Sequence, residues 1–215
     1  MCRFLAAHDR QPFAIAGHLR QLATIARRSR EYQGDGWGCA WLSERGWQTY
    51  KDIRPIWEDD LAQFGRTRLL LAHARSAFRD QAPDEAHNMP FVAGEEAFVF
   101  NGELRGVTLR AEGGTGAEKL FCFLRRFDGD GRGARLSAAL ETVKKRTRYV
   151  RAMNFVLADS RALYVHGFFS EDPEYFTMHE KRAGTLYSVC SEPYPDEPGW
   201  RPLPNGTLEV YPLSS

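Results

Sequence analysis

Long apolar runs are missing from this sequence. None of its stretches approaches the ~20 apolar residues that a membrane-spanning helix needs, and the opening Met1-Cys2-Arg3-Phe4-Leu5 lacks the apolar core of a secretory signal. The expected setting is therefore cytoplasmic, with no membrane partner and an N-terminus that is mature except for Met1. Cysteine is sparse: Cys2, Cys39, Cys122 and Cys190 form no Cys-x-x-Cys pair, which excludes the common zinc and dithiol motifs. In a reducing compartment no disulfide is expected either. An excess of charge of one sign is also absent. Against 29 Lys and Arg stand 28 Asp and Glu, and no basic stripe with interleaved aromatics appears, so nucleic acid is not an expected partner. The densest basic stretch, Lys144 to Arg151, reads as the solvated end of a helix. No repeat, low-complexity tract or Gly/Ser/Pro-rich linker divides the 215 residues, and residues 1–215 are expected to form one domain. With 43% hydrophobic residues, the chain can bury a full core without staples.

What is present is a series of short apolar runs that predict strands: Cys2 to Ala7, Cys39 to Leu42, Leu69 to Ala74, Ala97 to Phe100, Met153 to Ala158, Ala162 to Phe168 and Leu186 to Cys190. Three segments have helical periodicity instead. Leu19, Leu22, Ala23 and Ala26 share one face of the first. Ala117, Leu120, Phe121, Leu124 and Phe127 share a face of the second, and Leu136, Ala139, Leu140 and Val143 of the third. Strands come in runs with helices between the runs, which favours layered α+β over a doubly wound sheet. The Pro-rich tail after Pro193 is expected to close the fold as an extended segment, burying Trp200 and Val210-Tyr211.

Candidate chemistry begins at Cys2. Removal of Met1 gives this cysteine a free α-amine with an ordinary pKa of ~7.7–8.0, beside a thiol of ~8.5. One residue then supplies nucleophile and base together. Alone, a cysteine at the second position is as readily a small buried hydrophobe. Further along, Gly34-Asp35-Gly36-Trp37-Gly38 is a glycine-dense loop ahead of a strand. His73-Ala74-Arg75-Ser76 ends an apolar strand, where Arg75 either is a surface charge or presents a planar fork to a carboxylate. Phe98-Val99-Phe100 runs into Asn101-Gly102-Glu103-Leu104, read either as a hairpin turn or as an oxyanion hole built from the Asn101 side-chain amide and the Gly102 N–H. The other histidines (His8, His18, His87, His166, His179) form no spaced ligand set and are taken as structural or surface. Cys39, Cys122 and Cys190 are taken as buried.

In this order and spacing the motifs resemble the class II glutamine amidotransferases. Cys at position two, Asp-Gly-Trp-Gly, Ala-His-x-Arg, Pro90-Phe91 and Asn-Gly-Glu-Leu all take part. Later stretches (Met153 to Asp159, Ser191-Glu192-Pro193, Pro198-Gly199-Trp200) resemble the small stand-alone members, among them the γ-glutamyl hydrolase of ergothioneine synthesis. The resemblance implies a four-layer αββα sandwich of the N-terminal-nucleophile hydrolase type, without metal or organic cofactor. It implies attack by Cys2 on the γ-carboxamide of a glutamine or γ-glutamyl group, with Asn101 and Gly102 holding the oxyanion. Arg75, with Ser76 beside it, would grip the substrate carboxylate, and Trp37 and Gly38 would lie in a loop over the nucleophile. Two departures stand out. Met89 occupies the place of a His, and Gly116 in Thr115-Gly116-Ala117-Glu118 occupies that of the Asp expected to meet the substrate α-ammonium. A small-molecule amide is the implied substrate. The alternatives are a catalytically silent binding protein for a small carboxylate, or a glutaminase subunit feeding ammonia to a separate synthase. Homo-oligomer formation stays open.

Overall fold

The computed structural model describes residues 1–77 and 84–213. Its first half runs β1 (Arg3–Ala14), α1 (Ile15–Arg28), β2 (Trp37–Ser43), β3 (Gly46–Asp52), β4 (Arg66–Ala74), β5 (Phe91–Ala93) and β6 (Glu96–Val107). Two helices follow, α2 (Gly116–Leu124) and α3 (Arg132–Lys145), then β7 (Thr147–Ala158) and β8 (Ala162–Gly167). A short α4 (Pro173–Phe176) leads to β9 (His179–Ala183), β10 (Leu186–Cys190), β11 (Arg201–Pro202) and β12 (Thr207–Pro212).

The strands build a seven-stranded sheet, β11-β9-β10-β1-β4-β2-β3, and a five-stranded sheet, β12-β8-β7-β6-β5. Helix α1 forms because Ile15, Leu19, Leu22, Ala23 and Ala26 recur at three- and four-residue spacing and are all buried. Arg27 and Arg28 complement the dipole in its last turn, and extended backbone at Ser29 ends it. Its apolar face lies on Leu5, Cys39, Leu70 and Ala72 of the seven-stranded sheet, and burying each leucine contributes roughly 2 kcal/mol. From the other face of that sheet, Phe4, Ala6, Ala40 and Leu71 join Val99 and Val156 of the second sheet in one cluster. Beyond it, Phe121 of α2 lies nearly parallel to Phe98 with centroids 5.2 Å apart. The order is helix, sheet, sheet, helix.

Strand β1 is what this arrangement serves. It pairs with β10 on one side and β4 on the other, and its opening stretch, Arg3 to Ala7, is buried. Residue 2 therefore stands at the entrance of an interior strand.

Every expected apolar run falls largely on a strand: β1, β2, β4, β6 and β7 extend beyond theirs, β10 matches, and Cys2 and Phe168 lie just outside β1 and β8. Asn101-Gly102 is not a turn: β6 runs through it to Val107, paired with β7, with a register shift between Glu103 and Leu104. Lys144 to Arg151 is not one helix end, because α3 stops at Lys145 and Thr147 begins β7. Phe127 falls in a 3-10 turn after α2. In the tail, Tyr211 stacks on Tyr187 at 4.1 Å, while Val210 on the alternate face remains 43% exposed.

Under the outer helices lies a buried ionic cluster. Arg132, 3% exposed, donates to Asp159 at 2.6 Å and is paired with Glu96. Burial by itself would raise the Asp159 carboxyl, but the amides of Arg161 and Ala162 and the Arg132 guanidinium outweigh it and hold it below its ordinary range. Arg132→Met should cost about 3–5 kcal/mol, because two carboxylates lose their buried partner. The folded-state pKa of Asp159 is depressed, so this contribution is present above the unfolded value of ~3.9 and is lost as pH falls through the native one. Urea unfolding of both proteins at pH 7 and pH 3 checks this; the gap should be wide at pH 7 and narrower at pH 3.

Candidate active site

Register places the key groups. Arg3 pairs with Ala74 across β1 and β4, so Cys2 falls beside the residues that follow β4. The Ser76 amide donates to Cys2 Sγ at 3.5 Å, and Sγ lies 3.6 Å from the Ser76 carbonyl. Burial pushes the Cys2 thiol above its ordinary value, opposed by the amino-terminal charge, the Ser76 amide and Arg75. Cys2 opens on a cavity of about 630 Å³ that Arg75, Ser76, Gly102 and Gly116 also line. Five of the residues singled out in the sequence thus meet at one site, although β1, β4, β6 and α2 contribute them separately.

Arg75 is 6% exposed. Its guanidinium reaches the Asp84 carbonyl at 3.4 Å, and its backbone is held on both sides by the glycine-dense loop: Arg75 N–H donates to Gly36 O at 2.9 Å and Asp35 N–H to Arg75 O at 3.2 Å. The Asp35 carboxylate accepts from the Ala77 amide at 2.7 Å. Gly36 has φ of 109° and its missing Cβ would run into the Asn88 side chain, so only glycine fits there. The loop pins the strand end that carries Arg75.

It does not cover Cys2. Trp37 is fully buried on the α1 side of the sheet, where it packs against Tyr50 and Phe64 and donates from Nε1 to Asp59 at 3.1 Å. Trp37 is the first residue of β2, and strand alternation turns its side chain away from the cavity. Gly38 does not line the cavity either. A Cβ there would stand 2.7 Å from the Met89 carbonyl oxygen, so its smallness lets the segment bearing Met89, a cavity residue, approach. The expected binding roles of Trp37 and Gly38 are thus replaced by supporting ones.

Gly102 lines the cavity, and a Cβ on it would overlap the Ala152 carbonyl oxygen. Asn101 does not line it. The residue is fully buried, and neither its Nδ2 nor its Oδ1 has a partner among the described residues. Gly116 is the first residue of α2, capped by Thr115 Oγ1 accepting from the Glu118 amide at 3.1 Å. Nothing lies within 4 Å of a Cβ built on it and its φ is not left-handed. Glu118 faces back to the Gly114 amide at 2.6 Å.

Two histidines on the cavity wall were not expected there as chemistry. His73 is fully buried, and burial, reinforced by Arg75, holds it down to about 3, so its ring is neutral. His87 pairs with Asp84 at 3.3 Å. Glu31 and Arg151 also reach the cavity, from a loop and from β7, with no motif to announce them. Of the other cysteines, Cys39 and Cys190 are buried with thiols pushed up by desolvation, whereas Cys122 is only partly covered. Among the described residues, no group of three His, Cys, Asp or Glu could hold a metal ion, and no helix is long and apolar enough to cross a membrane.

The N-terminal residue fills part of the cavity. The Met1 ammonium is paired with Glu31. The Met1 carbonyl accepts from Gln33 Nε2 and from the Tyr175 hydroxyl, each at 2.6 Å.

Solved structures share this architecture at low identity. A glutamine aminotransferase class-II domain protein from Silicibacter pomeroyi aligns over 97% of this chain and 94% of its own, with TM-score 0.67 and 20% identity. A predicted glutamine amidotransferase from Pseudomonas aeruginosa aligns over 99% and 98%, with TM-score 0.61 and 16% identity. The glutamine phosphoribosylpyrophosphate amidotransferase of B. subtilis aligns over 99% of this chain and 49% of its own, at TM-score 0.69 and 14% identity; the chain spans about half of that enzyme. No single curated protein sequence matches. The α+β sandwich is thus of the N-terminal-nucleophile hydrolase type. The family model for class II glutamine amidotransferases matches residues 1–179, and the chain belongs to that family, whose chemistry is hydrolysis or transfer of the glutamine amide.

Proposed function

We propose that the protein is an amidohydrolase that cleaves a glutamine-like or γ-glutamyl amide through Cys2, after loss of Met1. The observation that carries this reading is the position of Cys2 Sγ, held by the Ser76 backbone at the mouth of a cavity that Arg75 and Gly102 share. With the α-amine freed, the Sγ–H proton passes to that amine and the sulfur forms a bond to the amide carbon. The carbonyl electrons move to oxygen, where the Gly102 N–H stabilises them, joined by the Asn101 amide once that buried side chain turns into the cavity. Collapse breaks the C–N bond, the ammonium returns its proton to the leaving amine, and a thioester remains. Water then attacks the thioester, giving its proton to the amine, and the carboxylate product leaves as the thiol re-forms. The protein's own groups supply each of these steps.

We take Arg75, which lines the cavity beside Ser76, to receive the substrate carboxylate, since a planar fork suits that group better than a point charge. The cavity falls in the ~300–1,000 Å³ range of sites for drug-sized ligands. Met89, Phe91, Phe100 and Ala117 make much of its wall apolar. We take the substrate to be a γ-glutamyl or ω-amide compound larger than glutamine, as one domain acting in the cytoplasm, where its free cysteines stay reduced.

Cys2→Ala should abolish turnover and labelling by a glutamine-like electrophile; undiminished turnover would end the reading. Asn101→Leu should lower kcat about 10²–10³-fold with little change in KM. In the same variant thermal stability should be unchanged or higher, since an unpartnered buried amide costs about 1–3 kcal/mol. A purely structural Asn101 would give the reverse pattern.

Free L-glutamine should be a poor substrate. Where an Asp was expected to meet the α-ammonium stands Gly116, and Glu118 is occupied by the Gly114 amide. Losing one partner of a buried charge pair costs about 2–5 kcal/mol, or roughly thirty- to several-thousand-fold. The kcat/KM on N-acyl glutamine should exceed that on glutamine, and Gly116→Asp, in open space with ordinary φ, should narrow the ratio. A wild-type value of ~10⁴ M⁻¹s⁻¹ or more on glutamine, with slower analogues, would show that the missing Asp is immaterial.

A further inference from the structure

The reaction above asks the Cys2 α-amine to aim its lone pair at its own thiol. Two side chains already converge on the bond next to that nitrogen. Gln33 is fully buried. Its Nε2 lies 2.6 Å from the Met1 carbonyl, 2.9 Å from the Glu31 carbonyl, 3.3 Å from the Tyr175 hydroxyl and 3.5 Å from Ser29 Oγ. One amide group with two hydrogens thus faces four acceptors, while its own Oε1 is buried with no donor among the described residues. The Tyr175 hydroxyl, also 2.6 Å from the Met1 carbonyl, has Ser29 Oγ at 3.5 Å as a second neighbour. Its ring is clamped by the Arg3 guanidinium 3.9 Å from the centroid, and that guanidinium also donates to the Tyr175 carbonyl at 3.2 Å.

Nothing in the acyl-transfer steps uses these contacts as they stand, because both side chains grip a carbonyl that leaves with Met1. Once it has gone, the two donors lose their shared acceptor, and the Cys2 nitrogen, which was bonded to that carbonyl carbon, becomes a free amine next to the vacated position. We infer that Gln33 and Tyr175 are positioning residues that hold the two N–H bonds of the mature Cys2 amine, so that its lone pair points to Sγ. Reversal of the Gln33 amide, which interchanges two nearly isosteric ends, turns the orphaned Oε1 toward the amine. The Tyr175 hydroxyl rotates its proton to Ser29 and accepts the second N–H. A lone pair left free in this way is what a base needs, whereas a lone pair consumed by a donor is useless. The inference rests on the Cys2 reading of the reaction, and it assigns what that reading leaves unassigned.

The charged and titratable groups around the amine, besides Tyr175 itself, include Glu31 from the loop after α1, Arg3 from β1 with its partner Glu192, Arg30 4.7 Å from the Tyr175 ring with its partner Asp172, His73 from β4, and Arg75 and Asp35 near the thiol. None of them is altered in the test. The protein is released from a cleavable fusion so that its first residue is Cys2, and a second preparation retains Met1. Alkylation of Cys2 by iodoacetamide, a neutral probe, is followed by peptide mass spectrometry from pH 5 to 9. Mature wild type should react at least about tenfold faster at pH 7 than the Met1 form, whose α-nitrogen is an amide. Mature Gln33→Leu and Tyr175→Phe should fall toward the Met1 form, with the alkaline limb of the pH profile moved upward. Tyr175→Phe keeps the ring beneath Arg3, so it reports on the hydroxyl even where Gln33→Leu folds poorly. Equal rates for mature and Met1 wild type would overturn the amine as base and this inference with it. A fast mature wild type with both variants equally fast and unshifted would overturn the positioning roles alone.

Discussion

Arg3 is the residue on which the position of the N-terminus turns. Chain ends ordinarily fray, because nothing repays the entropy of ordering them. Here the third residue carries a buried guanidinium that donates to the carbonyls of Ser191 and Tyr175 and to Ser29 Oγ, and is paired with Glu192 at 2.8 Å. A buried charge holds its place only when its hydrogen bonds are made. These partners come from the end of α1, from α4 and from the segment after β10. With β10 and β4 bonded to either edge of β1, the terminus becomes one of the better fixed points of the seven-stranded sheet. The proposed reaction needs such an anchor, because in it Cys2 carries its own amine and cannot be flanked by chain on both sides.

From that anchor the cavity follows by close approach of backbones. Gly36 accommodates Asn88 and lets the loop bond both sides of Arg75. Gly38 admits the carbonyl of Met89, and Gly102 that of Ala152. Each of these glycines occupies a point where a Cβ would push a strand or loop away from its neighbour. The site is therefore assembled between the sheets by omission of side chains as much as by their placement.

The buried stretches of β1, β4 and β7 were readable, because each is a run of mostly apolar residues whatever its partners. The half-buried β3 was not: Trp47, Gln48, Thr49 and Lys51 sit on an edge strand whose exposure leaves its composition unconstrained. Cys2, Arg75, Ser76, Gly102 and Gly116 were legible as motif members and do converge. Trp37 and Gly38 belong to the same motifs, yet they support the site from behind, a distinction that depends on strand parity and not on residue type. Gln33, Tyr175 and Glu31 carry no signature at all. They meet Met1 from positions far apart in the chain, and that adjacency exists only in three dimensions.

Two groups at the centre of the molecule violate the rule that buried polar atoms find partners. Asn101 has an unpartnered amide, and His73 beside Arg75 has both ring nitrogens unpartnered and its proton driven off by burial. They are not alone among the described residues: Arg132 Nε is also without a partner, although the same guanidinium meets two carboxylates through its other nitrogens. A core selected for stability alone would place apolar residues at 73 and 101, and the neighbouring Phe4 and Phe100 show that such residues fit there. His73 lines the cavity that Cys2 opens on, where an incoming substrate could supply a partner, and Asn101 is the strand neighbour of Gly102, which lines it too. At these two positions an apolar residue would cost less, and their nearness to the cavity favours reading it as a site of chemistry over a packing defect.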